Sequence, residues 1–290
     1  MNNIGILLIA IGHKNYGCMA ANLAMSLRSN HCTLPITLVT QHDTITRLGD
    51  EYLKLFTEIK YIEPRCYTLG DNSTCFIKAK AHMDELTPYD YTLFIDADVI
   101  MINNGKINET INQLQGVDFA IKNSGYTPFD SDKITPTSKQ WANLLEVKDA
   151  FGFANEKIWN VHSEFIWWKK GHPLFKKWVE NFENIRVKNI EFAGCIPDEL
   201  PLWISMCQLG VDCHKENYHP TFWPMDSSKM MRLKDIKDDY CGISIGGNRI
   251  HEEQLRMYNN QVQIHALKLN MRYKFLQQPK KRWASERHTY

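Results

Sequence analysis

Apolar residues along this chain alternate between short continuous runs and stretches with helical spacing. The first run, Ile4–Ala10, carries no polar side chain, which is typical of a parallel strand covered on both faces. A second short strand is predicted over Ile36–Thr40. Between the two strands, apolar residues three and four positions apart predict an amphipathic helix: Ala20, Leu23, Ala24 and Leu27. The chain therefore begins with a strand, a helix and a second strand.

The same alternation continues toward the C-terminus. A buried strand over Tyr91–Ile95 leads directly into Asp96-Ala97-Asp98, and a helix is predicted before it from Phe76, Ala79, Met83 and Leu86. Further strands are predicted at residues 119–121, 165–168 and 262–265. Further helices are predicted around residues 175–182 and 202–209, the second opened by Pro197-Asp198-Glu199. The polar residues 123–137 are predicted to form a long surface loop, suited to a lid or an acceptor-binding segment.

Strands that alternate with helices predict an α/β fold, with a mostly parallel sheet flanked by helices on both faces. No internal repeat and no Ser/Gly-rich linker divides the sequence. We therefore expect a single domain over residues 1–268, followed by a C-terminal extension over residues 269–290.

Charge distinguishes this extension from the rest of the chain. The net charge is +1, yet the last 25 residues contain seven Lys or Arg and one acid, Glu286. A basic tail of this kind is suited to an anionic partner, such as a membrane glycolipid or a nucleic acid, and a solvated terminal extension is the alternative. The chain lacks a recognisable secretory signal, which predicts a cytoplasmic protein with reduced cysteines. A peripheral position at a membrane or on nucleic acid is compatible with this prediction.

The pair Asp96 and Asp98 carries the strongest chemical signal. Two carboxylates stand one residue apart at the end of an apolar strand, and ligands of open α/β sheets bind at the carboxyl ends of strands. Burying such acids without a partner would cost several kcal/mol, roughly, so a cation is expected beside them. Hard oxygen ligands favour Mn²⁺ or Mg²⁺, which commonly bind together with substrate phosphates.

The segment Tyr89-Asp90-Tyr91-Thr92-Leu93-Phe94-Ile95-Asp96-Ala97-Asp98 resembles the DxD region of GT-A glycosyltransferases, especially the glycogenin-like and lipopolysaccharide-galactosyltransferase-like family 8. The resemblance implies a Rossmann-like GT-A fold and a metal-dependent, UDP-sugar-using and retaining transferase. It implies that Asp96 contacts the donor ribose and the metal, that Asp98 is the main metal ligand, and that His265 is a third. Lys268 would then contact the diphosphate.

Other patches of the chain extend this resemblance. Lys80 stands where glycogenin-like enzymes have a donor-contacting lysine, and its helical position is nearer the buried stripe than that of Lys78. The turn after the first strand would bind the nucleoside, with His13 beside it and Tyr16 stacked on the base. Asp43, after the second strand, would accept a hydrogen bond from base or ribose. For each of these three, the role of an ordinary turn residue without a ligand contact is an equal alternative.

Two further segments would surround the donor sugar. His162-Ser163-Glu164 resembles the family's Asn-Ser-Gly stretch, with His in place of Asn and Glu in place of Gly. Asp198 and Glu199 match an acidic pair at a helix start beside the reacting sugar, although an acid there is also an ordinary helix cap. With Lys80, they are the candidate catalytic residues. If either acid served as a general base, the enzyme would invert instead of retaining configuration.

Two other functions fit the same pattern less well. A sugar-phosphate nucleotidyltransferase shares the sheet and a two-carboxylate metal site, but it carries a Gly-rich phosphate loop that residues 11–17 match poorly. A non-catalytic nucleotide-sugar-binding module would not need the acidic set. The sequence leaves the acceptor open among a glycan, a glycolipid, a protein and a modified nucleic-acid base.

Overall fold

The computed structural model describes residues 3–128, 142–154, 157–190, 196–213, 240–245 and 252–272. A six-stranded sheet forms its centre, in the order β3-β2-β1-β4-β7-β6, and a two-stranded antiparallel sheet pairs β5 with β8. Strands β1 to β4 run parallel, whereas β7 is antiparallel to both β4 and β6. The strands are β1 (Ile4–Ala10), β2 (Ile36–Thr40), β3 (Glu58–Tyr61), β4 (Tyr91–Ile95), β5 (Val99–Met101), β6 (Phe119–Pro128), β7 (Lys157–Lys169) and β8 (Gly242–Ser244).

Helices cover both faces of the large sheet. The α-helices are α1 (Lys14–Ser29), α2 (His42–Ile45), α3 (Asp50–Leu53), α4 (Met83–Leu86), α5 (Lys106–Leu114), α6 (Leu144–Phe151), α7 (Pro173–Val187), α8 (Glu199–Leu209) and α9 (Glu252–Lys268). Two short 3₁₀ helices span Pro64–Cys66 and Phe76–His82. No helix in this described part of the chain combines the length and apolar composition needed to cross a bilayer.

Alternation along the central strands divides the core in two. Ile6 and Leu8 of β1 face one layer, packed with α1, α5 and α9, whereas Leu7 faces the other, packed with α6, α7 and α8. Successive strand side chains point to opposite faces, so a central strand must be apolar at every position to fill both layers. The predicted mostly parallel α/β sheet is confirmed, and β1, β2 and β4 have the predicted ends.

Three sequence predictions differ from the structure. The helix predicted from Phe76 to Leu86 is a 3₁₀ helix followed by the single turn α4. The predicted loop at residues 123–137 is a continuation of β6 as far as Pro128, and its remaining residues lie outside the described ranges. The predicted strand at residues 262–265 lies within helix α9.

Residues 269–272, placed in the tail by the sequence analysis, pack on the domain. Leu269 and Met271 lie against the core, and the hydroxyl of Tyr52 donates a hydrogen bond to the Arg272 carbonyl at 2.5 Å. Residues 273–290 of the predicted tail lie outside the described ranges.

Candidate active site

A buried lysine joins three segments at the carboxyl end of β4. The Nζ of Lys80 lies 2.7 Å from Oδ2 of Asp96, directly after β4, and 2.6 Å from Oδ2 of Asp198 at the start of α8. It also lies 5.6 Å from the centre of the Phe94 ring. The 3₁₀ helix Phe76–His82 brings Lys80 to this edge of the sheet. Lys80 therefore points toward the strand ends, as predicted. The prediction that it is nearer the buried side of its helix than Lys78 is wrong, because the segment is a 3₁₀ helix in which Lys78 is the more buried of the two.

Ser163 of β7 completes this network. Its hydroxyl accepts a hydrogen bond from Lys80 at 3.1 Å and donates one to Oδ2 of Asp198. Ser163 is buried, and Lys80 is 15% exposed. Burial alone would lower the pKa of Lys80, but the carboxylates of Asp198 and Asp96 outweigh it and hold that pKa above its usual range. Lys80 is therefore a fixed positive charge among acids.

Asp198 stands at the helix-capping position of α8 without acting as a cap. Its side chain makes no capping hydrogen bond, and its carboxylate is bound instead by Lys80 and Ser163. Burial would raise the pKa of Asp198, but Lys80, together with hydrogen bonds from Ser163 and Glu199, holds it below its usual range. The sequence left Asp198 as either a helix cap or a site residue. In the structure its carboxylate contacts Lys80 and Ser163, and it makes no capping hydrogen bond to α8.

Glu199 behaves in the opposite way. Burial, reinforced by the neighbouring Asp198 carboxylate, holds the pKa of Glu199 well above its usual range. The surroundings therefore shift the pKa values of these two adjacent acids in opposite directions. In its protonated form Glu199 can donate a hydrogen bond to Asp198.

Asp98 has much less compensation than Asp96. Burial, then the carboxylates of Asp96 and Glu164, raise the pKa of Asp98 to about 8. Burial also raises the pKa of Asp96 to about 6, although Lys80 opposes it. Asp98 is the third residue after β4 and is half-buried.

Glu164 is a site residue whose contact the sequence analysis did not foresee. It lies in β7, is 2% exposed, and its Oε1 accepts a hydrogen bond from Nζ of Lys122 in β6. The backbone amide of Asp96 donates to the Glu164 carbonyl at 3.0 Å, which places the two residues side by side. The available signal was an acid directly before the apolar run at residues 165–168, since buried acids need a partner. Identifying Lys122 required the register of β6 against β7.

Five carboxyl groups and two ammonium groups thus form a connected cluster within the described residues. The acids are Asp96, Asp98, Glu164, Asp198 and Glu199, and the lysines are Lys80 and Lys122. Even without Glu199 and Asp98, whose pKa values are raised, three acids face the two lysines. The donor set is composed of hard oxygens and has negative charge in excess, which fits a divalent cation such as Mn²⁺ or Mg²⁺.

A cavity of about 520 Å³ opens at the carboxyl ends of β1 and β2. His13 and Asp43, both assigned from the sequence to nucleoside binding, line it, together with Gly12, Lys14, Gln41, His42, Thr44 and Thr46. His13 begins α1, where its Nδ1 accepts the Asn15 amide at 3.2 Å. The cavity belongs to the strand edge that also carries Asp96, as the parallel pairing of β1 with β4 requires.

Comparison with known proteins gave matches in structure only. No family model matches the sequence, and no curated protein matches it. The galactosyltransferase LgtC, in complex with donor and acceptor sugar analogues, aligns over 97% of this chain and 99% of its own, with a TM-score of 0.53 and 11% identity. An active-site variant of LgtC aligns over the same shares, with a TM-score of 0.55 and 11% identity. The bifunctional glycosyltransferase WbbM, in its apo form, aligns over 91% of this chain and 50% of its own, with a TM-score of 0.55 and 10% identity.

The chain has the GT-A fold. At 10–11% identity, structural similarity shows the fold and does not assign roles to individual residues. Within the GT-A sheet, Asp96, Asp98 and Lys80 lie at the expected strand edge. His162 lies in β7 and is half-buried, in register with Lys122 of β6.

His265 does not fit the role of metal ligand that the GT-A resemblance implied. It lies in α9 and is fully buried; its Nδ1 is 2.5 Å from the Ser29 hydroxyl and its Nε2 is 2.7 Å from the Met101 carbonyl. Burial, opposed in part by the bond to Met101, lowers the pKa of His265 to about 4. Both ring nitrogens therefore hold α9 against α1 and β5, and this assignment is corrected.

Two other residues assigned from the resemblance lie in helices. Lys268, exposed in the last turn of α9, donates a hydrogen bond to Oδ1 of Asn103, and its contact with the diphosphate stays a prediction. Tyr16 lies in α1, is half-buried and packs against the core. It is not among the residues that line the cavity. Its proposed stacking on a base stays a prediction.

Proposed function

We propose that this chain is a glycosyltransferase that transfers a sugar from a nucleoside-diphosphate sugar, with a UDP-sugar as the donor, to an acceptor hydroxyl. The observation that carries the proposal is the buried bridge from Lys80 to Asp96 and Asp198, beside the poorly compensated Asp98. The GT-A fold supports it, because this cluster lies at the edge where open α/β sheets bind ligands.

The nucleoside is proposed to occupy the cavity at the ends of β1 and β2. There His13 can donate to ribose or base once its ring turns from the Asn15 amide, and the exposed Asp43 can accept a hydrogen bond. A donor that extends along this edge would bring its diphosphate toward Asp96 and Asp98. The sugar would then reach Asp198, Ser163 and His162.

Asp96 and Asp98 are the residues proposed to hold a Mn²⁺ or Mg²⁺ ion. Their oxygens are hard ligands, and the excess of negative charge around them would be relieved by a divalent cation. Such an ion, when bound, would neutralise the charge that develops on the leaving diphosphate.

The acids near the sugar favour a retaining reaction. Asp198 already accepts hydrogen bonds from Lys80 and Ser163, and burial beside Asp198 raises the pKa of Glu199, which opposes its ionisation. Neither acid is placed as a free general base that would activate an acceptor hydroxyl from the opposite face. A fixed Asp198 carboxylate can instead stabilise the positive charge on the anomeric carbon as the glycosidic bond to the donor breaks. Lys80 keeps this carboxylate ionised and in place.

A donor-hydrolysis screen tests this proposal. UDP-, GDP-, ADP- and CMP-sugars are incubated with the protein, with Mn²⁺ or with EDTA, and the released nucleotide is measured. We expect hydrolysis of a UDP-sugar that depends on Mn²⁺ or Mg²⁺, and calorimetry should show the loss of donor binding in EDTA. Formation of a nucleotide-sugar and inorganic pyrophosphate from a sugar 1-phosphate and a nucleoside triphosphate would indicate a nucleotidyltransferase instead.

Asp98→Asn supplies the first variant for this screen. The change removes a metal-binding carboxyl group and little volume, and it removes a group whose ionisation is opposed by burial and neighbouring acids. We therefore expect transfer to be abolished while the melting temperature measured in EDTA stays at or above that of the wild type. The exposed Asp118→Asn is the matched control, and it should retain wild-type transfer. Wild-type transfer by Asp98→Asn would show that the metal site is misplaced.

A further inference from the structure

A second group of metal-binding side chains lies on the other side of the segment that carries Lys80. Cys66 follows β3 in the first 3₁₀ helix, His82 ends the second, and Glu85 lies in α4. One ligand atom from each of the three lies within 4.8 Å of the others. Their spacing in the sequence did not reveal them, because zinc motifs are recognised from closely paired ligands and these come from separate segments.

His82 provides an independent indication that this group lacks a partner. The side chain is nine-tenths buried, and its Nδ1 lies 3.3 Å from Oε2 of Glu85. Its other ring nitrogen, Nε2, is buried and has no hydrogen-bond partner among the residues that the structure describes. An unpaired buried polar atom costs about 1–3 kcal/mol, so such atoms in native proteins usually have a partner. A neutral imidazole nitrogen in this state is suited to binding a cation.

We propose that Cys66, His82 and Glu85 form a zinc site, separate from the Asp96 and Asp98 pair. The combination of a thiolate, an imidazole and a carboxylate is the ligand chemistry of Zn²⁺. A tetrahedral ion with bonds of about 2.0–2.3 Å separates its ligand atoms by about 3.5 Å, so small side-chain rotations would close the group around it. Water would occupy the fourth position. Binding releases the thiol proton of Cys66 to solvent, and the two ligand charges then balance the ion.

Arg65 gives this site its outer support. Its guanidinium donates to both oxygens of Glu85, with the Nη1 bond to Oε2 at 3.1 Å. Ligating carboxylates are commonly held by such hydrogen bonds, which orient them toward the metal. Zinc here would tie the segment after β3 to the helical segment that contains both His82 and Lys80. The expected effect of the ion is to hold Lys80 at the sheet edge.

Cobalt substitution tests the proposal without reference to catalysis. The full-length protein is stripped with EDTA and titrated with Co²⁺, which absorbs in the near ultraviolet when a thiolate binds it. We expect a thiolate-to-cobalt band that saturates at one equivalent and disappears when Zn²⁺ is added. Cys66→Ser should lose the band, and Glu85→Gln should weaken Co²⁺ binding about tenfold or more. Cys207→Ser and Asp98→Asn should keep it. No thiolate band in the wild type, or an unchanged band in Cys66→Ser, would overturn the site.

A thermal measurement covers the case in which Cys66→Ser does not fold. Zn²⁺ should raise the melting temperature of the Asp98→Asn protein, because an ion that binds only the folded state stabilises it. The same rise should be absent when Glu85→Gln is added. Because Glu85 is exposed, this substitution should not prevent folding. Equal melting temperatures in Zn²⁺ and EDTA for the Asp98→Asn protein, or an equal rise in both proteins, would also overturn the proposal.

Discussion

At the residue scale, two lysines of one 3₁₀ helix provide a matched test of the active site. Lys80 is bound to Asp96 and Asp198, whereas Lys78, two positions earlier, donates to the Thr68 carbonyl at 2.6 Å and pairs with Glu183 at 3.2 Å. Both ammonium groups are largely buried. Their partners differ, since only Lys80 contacts the acids of the proposed site.

Lys80→Ala should lower the turnover number about 10²- to 10³-fold, the range found when one preorganised charge-stabilising group is removed. Lys78→Ala should lower the free energy of unfolding through the loss of its buried bonds and leave turnover near that of the wild type. Steady-state kinetics and denaturant titration of both variants measure this difference. Equal losses of turnover would show that Lys80 acts only through the stability of its helix.

His265 provides a prediction about pH and stability. Its pKa is about 4 in the folded protein, against about 6.5 for an unperturbed histidine. The unfolded chain therefore binds more protons between these values, and the free energy of unfolding should fall as pH decreases from about 6.5 to 4. The full difference is about 3 kcal/mol, from about 1.4 kcal/mol for each pKa unit.

Denaturant titrations between pH 4 and 7 test this prediction. His265→Gln should lose stability at neutral pH, because it disturbs the bonds to Ser29 and Met101. Its stability should then depend less on pH than that of the wild type. The exposed His31→Asn is the control and should keep the wild-type slope, since Asn tolerates the positive φ of 62° at this position. An unchanged slope in His265→Gln would contradict a buried neutral imidazole.

At the element scale, the sequence predicted the central parallel strands to the residue and failed on α9. A strand buried on both faces is a continuous apolar run, so β1, β2 and β4 are visible in isolation. Residues 262–265 alternate apolar and polar, which favours a strand over so short a window. The helical spacing becomes visible only from the buried residues of the whole element: Leu255, Tyr258, Val262, His265 and Ala266. The assignment of His265 as a metal ligand depended on the predicted strand at residues 262–265 and was wrong with it. The positions of Asp96 and Asp98 depended on β4, which was predicted correctly.

The contact between α1 and α2 carries the prediction at this scale. A Cβ at Gly17 would lie 2.3 Å from the backbone oxygen of Thr44, and Thr44 lines the cavity proposed for the nucleoside. In an open helix Ala is about 1 kcal/mol more favourable than Gly. Here Gly17→Ala must move the backbone of α2, at a cost of about 1–3 kcal/mol.

Gly17→Ala should therefore lower the free energy of unfolding and weaken the binding of a UDP-sugar. Gly49→Ala is the matched control, because nothing lies within 4 Å of its added Cβ. It should change neither quantity. Denaturant titration and calorimetry measure the two effects. A Gly17→Ala protein that is more stable than the wild type would show that α1 and α2 have room between them.

At the scale of the whole molecule, the predicted basic tail lies outside the described residues from position 273 onward. Leu269, Met271 and Arg272, the last part of the chain that the structure describes, contact the domain, so a truncation that begins at Gln277 keeps these residues. Lys280-Lys281-Arg282-Trp283 combines three positive charges with an aromatic ring, which suits a phosphate-bearing acceptor or a membrane interface. The tail is therefore expected to act on the acceptor and not on the donor.

Removal of residues 277–290 should leave donor hydrolysis nearly unchanged and weaken action on an anionic acceptor. Binding through several Lys and Arg residues releases counterions, so the acceptor affinity of the full-length protein should fall steeply with salt. Truncation should flatten that dependence. Replacing Lys280, Lys281 and Arg282 with Gln in the full-length chain is the matched control, and it should reproduce the flattening if charge is the cause. Equal salt dependence in the full-length and truncated proteins would identify the tail as a solvated extension, and loss of donor hydrolysis would place it over the nucleotide instead.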